Sequence, residues 1–458
     1  MPGDLIKPDK IENDRGVIAE NYHELQSIGA IEAARANMTV PGATPEALLI
    51  GIYQSSEIAL HNLADLLTRA GADLASRDVD ACVSKMLWIR SFHRLLVRLS
   101  SDALRISSDW PVTALRWPIQ DTPAFGEFKT ALESFDGSLT ELVDQGELDV
   151  RTTISEASLT DSAYSILHCV RIANHDARVW ATNLARSVHP RPTDALDVAL
   201  ASSHLRHAVH EHQLVGDTYF TQFRALHQIP ELLVREINDR LELATKAVRD
   251  GDDARAIELL DGAASLYPAI EASLPPIVDN LSTFDYHQIR ENLGQTSGSH
   301  SVAMRFHLFT DLYEQFTQEV MALEGAAPDK SGVVRLKRHV ADLRVFIFSW
   351  RDMHLHLPRN NLGGAETKSL TGAPDAVRTV QKMRDSAASS DPMRSKTRDR
   401  PAVVAGPLDG YLDGPKSSDQ LLLLITGEVT QANFHDVQER LNFFSQRSPF
   451  SRPPRREV

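Results

Sequence analysis

The segment PEALLIGIYQSSEIALHNLADLLTRA, residues 45–70, decides the fold class of this 458-residue chain. Its apolar residues recur at intervals of three and four over roughly six turns, which is the spacing of an α-helix with an apolar face. Residues 85–106, 219–248, 303–326 and 333–357 repeat the pattern. Runs in which β-branched and polar residues alternate are scarce, so the sequence predicts an all-α protein of long packed helices.

The amino-acid composition excludes several classes of protein. Hydrophobic residues make up 42% of the chain and charged residues 24%, which is typical of a soluble globular protein. The net charge of −14 argues against a nucleic-acid surface, which needs clustered Lys and Arg. The two cysteines, Cys82 and Cys169, exclude a disulfide framework and a cysteine-rich metal site, and we expect buried free thiols. Neither a signal peptide nor a membrane span is predicted, so we expect a cytoplasmic protein.

Segments of different composition divide the C-terminal part of the chain. Residues 383–401 are rich in Ser, Asp, Arg and Pro, which predicts a flexible loop, and residues 446–458 have the composition of a disordered tail. Between them, residues 402–445 contain the apolar run LLLLIT followed by a helical pattern, which predicts an ordered extension. Pro230 interrupts the pattern of residues 219–248 and should kink that helix or lie near its start.

An internal repeat divides the rest of the chain into residues 1–200 and residues 201–382. The parallels pair residues 53–58 (YQSSEI) with 227–232 (HQIPEL), residues 122–138 with 283–299 and, more weakly, residues 170–174 (VRIAN) with 350–354 (WRDMH). Since the three parallels occur in the same order in both halves, the sequence predicts a tandem duplication.

Three groups of residues in the second half carry candidate chemistry. They are FRALHQIPEL (223–232), DYHQIRENL (285–293) leading into SGSHSVAMR (297–305), and WRDMH (350–354) followed by ETKSLTG (366–372). Together and in this order they resemble the tryptophan 2,3-dioxygenase superfamily. That family shows FxxxHQxxEL, then an aromatic residue and an arginine four residues apart before SGFQS, then WRxxH, then GTGGSSG. The resemblance implies a long-helix bundle of the dioxygenase type.

The resemblance implies a haem site. His354 matches the histidine that ligates the iron of haem b, and Trp350 and Arg351 of the same motif are assigned to the haem side. His227 matches the distal histidine that faces the substrate, and it is a candidate catalytic residue. A neutral imidazole is a suitable iron ligand when its second nitrogen has an acceptor that fixes its orientation.

The resemblance also implies a substrate site for an aromatic amino acid. Phe223 matches an aromatic wall residue, and its spacing from His227 places both on one helix face. Tyr286 and Arg290 match the residues that hold the substrate carboxylate, for which the planar guanidinium fork of Arg is well suited. Thr367 matches the threonine near the substrate ammonium group, with one gap.

Departures from the family pattern bear on the reaction. Lys368 and Leu370 replace Gly and Ser of the family's glycine-rich loop, and the stretch between Arg305 and Trp350 is shorter than in the dioxygenases. These departures favour relatives in secondary metabolism, such as the chlorotryptophan-rearranging enzyme of pyrrolnitrin biosynthesis. We therefore expect a haem-dependent oxygenase that uses dioxygen on L-tryptophan or a related indole or aromatic amino acid. The alternatives are an aromatic monooxygenase, peroxygenase or indole-rearranging enzyme with the same haem, and a non-catalytic helical binding protein that has lost haem.

Ordinary structural explanations stay open for the same residues. A histidine in a helical protein is usually a surface residue or a satisfied core residue, and His356 is an alternative iron ligand. Arg290 could pair with a surface carboxylate, and Phe223 and Tyr286 would be core residues in any helical bundle.

The first half lacks the residues that would hold a haem. Tyr53 replaces the distal histidine, Lys129 replaces Arg290, and Asn174 falls where His354 would lie. We therefore expect this half to be a degenerate repeat that stands in for a neighbouring subunit. The chain would then be a monomeric pseudo-dimer or a homodimer.

Overall fold

The computed structural model describes residues 24, 27–36, 43–109, 123–144, 205–206, 209, 219–292, 301, 303–304, 308, 311–326, 331–361, 377–378 and 381–382. Its helices are α1 (Ile28–Ala36), α2 (Pro45–Ala75), α3 (Val79–Asp109), α4 (Pro123–Asp144), α5 (Phe220–Arg249), α6 (Asp253–Ala264), α7 (Tyr267–Ala272), α8 (Pro275–Asn280), α9 (Thr283–Asn292), α10 (Tyr313–Ala326) and α11 (Ser331–Asn361). No strand occurs among these described residues, so the all-α prediction is confirmed for them.

Helix α2 lies at the centre of the first half. The Thr44 hydroxyl caps its start by accepting from the Ala47 amide at 3.3 Å, and Pro45 occupies the first helical position. Helices α3, α4 and α5 all pack against α2. As a result α2 is buried on every side between Ala47 and Ala64, although its sequence predicted a single apolar face.

Polar side chains in the middle of α2 are buried with it. Ser55 and Ser56 satisfy their hydroxyls by donating to helix carbonyls four residues earlier, at 2.8 and 2.9 Å. Asn62 donates to the Ile58 carbonyl at 2.8 Å, and His61 contacts Glu127 of α4 at 3.1 Å. The centre of the bundle therefore contains a polar layer as well as an apolar core.

Helices α2 and α5 pack against each other in opposite directions. Gly51 of α2 lies beside the side chains of Leu233 and Glu236, and Gln222 donates to Asp65 at 3.2 Å. The midpoint of these two contacts falls near residue 58 of α2 and residues 228–229 of α5. Helix α5 runs unbroken from Phe220 to Arg249 with Pro230 inside it, near the middle of this contact and away from the helix start.

Two turns of the same construction connect α2 to α3 and α5 to α6. Arg77 (φ 62°) and Gly251 (φ 76°) take the left-handed conformation, which favours glycine. The carboxylates of Asp78 and Asp252 then cap α3 and α6, each accepting from the amide three residues later at 3.0 Å. Both connections are therefore tight helical hairpins.

A single hydrophobic cluster includes residues from both halves of the chain. Helices α7 and α8 contact α3 of the first half as well as α5 and α11 of the second. Cys82 lies in this cluster, and burial raises the pKa of its thiol to about 12, as expected for an inert structural cysteine. None of the described helices combines the length and the hydrophobicity that a membrane crossing needs.

Several predictions from the sequence fall outside the described residues. They concern the boundary between residues 200 and 201, the parallel at residues 170–174, Thr367, and the segments 383–401, 402–445 and 446–458.

Candidate functional site

His227 and Phe223 form the first pair of candidate residues, on α5. They lie one turn apart on α5, both are buried, and their ring centroids are 4.4 Å apart. Nδ1 of His227 lies 2.7 Å from the Phe223 carbonyl oxygen. Because a carbonyl can only accept, Nδ1 carries the hydrogen, and Nε2 of the neutral ring carries a lone pair.

Burial controls the charge of His227. Removal from water lowers the pKa of its imidazole to about 4, while the hydrogen bond to the Phe223 carbonyl opposes this shift. The ring is therefore neutral at pH 7. With its tautomer set by the backbone, Nε2 can accept a hydrogen bond, take up a proton or bind a metal ion.

His354 and Trp350 form a second pair on α11. Both are buried, and their rings are stacked with centroids 5.1 Å apart and planes inclined by 8°. His356 is exposed although it is two residues away. Between the two candidate iron ligands, burial therefore favours His354. Arg351 is half-buried on the same turn.

Tyr286 and Arg290 form a third pair on α9. The start of this helix is held by Ser282, whose hydroxyl accepts from the Asp285 amide at 3.1 Å. Tyr286 packs against the core, and its burial raises the pKa of the phenol while the positive charge of Arg290 opposes that rise. Their separation of four residues places the phenol and the guanidinium on one face of α9.

The packing of the helices relates the three pairs to one another. Helices α5 and α11, which carry His227 and His354, both pack against α6, α7, α8 and α10. Helix α9, which carries Tyr286 and Arg290, packs against α11. All the candidate residues except Thr367, which lies outside the described residues, therefore belong to one helical assembly.

Glu231, one turn after His227, has no role that the sequence pattern predicted. Glu231 is 1% exposed and accepts a hydrogen bond from the Ser301 hydroxyl at 2.5 Å. This contact joins the HQIPE motif to the SGSHS motif. The sequence does show a carboxylate one helical turn after a candidate histidine, and this spacing could have singled out Glu231. Its partner Ser301 lies 70 residues later, and only tertiary packing brings the two together.

The candidate residues do not form a site for a bare metal ion. Among the described residues, no three His, Cys, Asp or Glu side chains converge on a common point. A haem needs a single axial side chain, because the porphyrin supplies the other ligands. His354 and His227 are both buried histidines and are therefore candidates for such a ligand.

Comparisons with known proteins do not add to this assignment. Protein-family models, characterised proteins and solved structures were compared with the chain, and none matched. The family resemblance therefore stays a prediction from the motif residues.

Proposed function

We propose that the chain is a haem-dependent oxygenase that acts on L-tryptophan or a related indole or aromatic amino acid. The observation that carries the proposal is His227, a buried and neutral imidazole whose Nε2 is left as an acceptor beside the aromatic ring of Phe223. An acceptor next to an aromatic wall suits a flat ring that bears one N–H group, as an indole does.

His354 would hold the iron of haem b, with Trp350 stacked on the imidazole to limit its rotation. When bound, the haem supplies the activation of dioxygen. His227 would orient the substrate by accepting from its ring N–H, and Phe223 would pack against the ring. Tyr286 and Arg290 would bind the amino acid carboxylate, and their proximity on α9 supports that role.

A visible spectrum of the full-length chain reconstituted with haem tests the proposal. We expect a Soret band that is lost in His354→Ala and retained in His356→Ala, because only His354 is buried. A chain that stays colourless after reconstitution would overturn the proposal and leave a helical binding protein.

Product analysis by mass spectrometry then identifies the reaction. After mixing with L-tryptophan, reductant and dioxygen, a gain of two oxygen atoms indicates dioxygenation. A gain of one or none indicates the monooxygenase or the rearranging enzyme. Arg290→Ala should raise KM for L-tryptophan because it removes the guanidinium partner of the carboxylate.

We also infer that the chain arose by tandem duplication, with the first half in place of a partner subunit. The turn at Arg77–Asp78 and the turn at Gly251–Asp252 are separated by the same number of residues as the paired motifs 53–58 and 227–232. The midpoint of the α2–α5 contact also falls within these two motifs. Two helices related by an approximate two-fold axis contact each other through equivalent residues.

Size-exclusion chromatography with light scattering tests the inferred duplication. A monomer or a homodimer agrees with a pseudo-dimeric chain. An obligate tetramer would contradict the idea that the first half replaces a neighbouring subunit.

A further inference from the structure

Two side chains of α5 hold the segment that precedes α10. The Ser301 hydroxyl donates to Glu231 at 2.5 Å and accepts from the Met304 amide at 3.0 Å. Asn238 donates to the Ala303 carbonyl at 2.9 Å. Since Glu231 and Asn238 are seven residues apart, they lie on the same face of α5 and attach residues 301–304 at two points.

The attachment at Glu231 uses both carboxylate oxygens. Oε2 accepts from Ser301, and Oε1 accepts from Arg235 at 3.1 Å. Arg235 in turn pairs with Glu32 of α1 at 2.9 Å. A glutamine could accept with one side-chain atom only, and its amide group would face the second donor. The network therefore needs a carboxylate at this position.

The attached segment lies close to the candidate site. Glu231 follows His227 by one turn, so the two side chains are neighbours on the surface of α5. Residues 303–304 are π-helical, a wide turn that occurs frequently at functional sites. Ser301 belongs to the SGSHS segment, which follows α9 in the chain.

We propose that Glu231 and Ser301 are positioning residues, which hold residues 301–304 against α5 and keep water away from His227. The assignment of His227 to the substrate side rests on the proposed function. The hydrogen bonds that attach Ser301 and Ala303 to α5 are independent of the proposed function.

A histidine-selective NMR titration of the full-length, haem-free chain between pH 5 and 7.5 tests this proposal. In the unmodified protein His227, with its pKa of about 4, should stay neutral over that range. In Glu231→Gln and Ser301→Ala the segment should separate from α5 and admit water, which would raise the pKa of His227 by roughly one unit or more toward its ordinary value. Ser301→Thr, which keeps the hydroxyl, should restore the low value.

Glu57→Gln is the matched control, because Glu57 is buried to the same degree and stands in the corresponding position of the first half. It should leave the titration of His227 unchanged. The proposal is overturned if Glu231→Gln and Ser301→Ala leave the pKa of His227 unchanged, or if Glu57→Gln raises it equally. The titration needs no haem, so a chain that fails to bind haem would contradict the proposed function and still give a readable result here.

Discussion

The neutral state of His227 has a measurable consequence for stability. Its pKa is about 4 in the folded protein, against about 6.5 for a histidine in water. Between these values the unfolded chain binds a proton that the folded chain does not, so stability falls as pH falls through this window. The full shift corresponds to about 3 kcal/mol, of which about 2 kcal/mol is lost between pH 7 and pH 5.

His227→Asn isolates this contribution. The asparagine amide can still donate to the Phe223 carbonyl from nearly the same place, but it does not titrate. Urea unfolding at pH 7 and at pH 5 measures how much free energy of unfolding each protein loses on acidification. We expect that loss to be smaller in His227→Asn than in the unmodified chain by about 2 kcal/mol.

Tyr53→Phe serves as the control, since Tyr53 is buried at the corresponding position of α2 and a phenol does not titrate between pH 5 and 7. It should show the pH dependence of the unmodified chain. If His227→Asn loses as much stability on acidification as the unmodified chain does, the ring is not held neutral, and the reasoning about its acceptor nitrogen is refuted.

Further predictions concern the haem ligand, a buried ion pair and the two turns. His354→Ala should abolish the Soret band of the reconstituted protein while His356→Ala keeps it, measured by absorbance at equal haem loading. Arg240→Ala should lower the free energy of unfolding by about 3–5 kcal/mol, because it leaves a buried glutamate without the guanidinium 3.2 Å away; a loss under about 1 kcal/mol in urea unfolding would contradict this. Asp78→Ala and Asp252→Ala should each cost about 1 kcal/mol, since each removes one helix cap of the same geometry. Clearly unequal losses would argue against equivalent turns.

Local features of the site could be predicted from the spacing of residues. A separation of four residues on a helix places two side chains on one face, so the contacts between Phe223 and His227 and between Trp350 and His354 follow from the sequence. The proximity of Tyr286 to Arg290 has the same origin.

Features that depend on contacts between helices could not be predicted in this way. The sequence of α2 predicts one buried face, yet three neighbouring helices bury it on all sides, together with Gln54 and Glu57. The attachment of Ser301 to Glu231 joins residues far apart in the chain, and no local pattern specifies such a pairing.

The sequence by itself determined the helical class and which side chains are neighbours along one helix. These properties depend on the period of the helix, which acts over a few residues. The tertiary structure decided that His354 is buried and His356 exposed, and that His227 is neutral at pH 7. Burial and the charge of a titratable group depend on what the neighbouring helices exclude, and that is settled only when the helices pack.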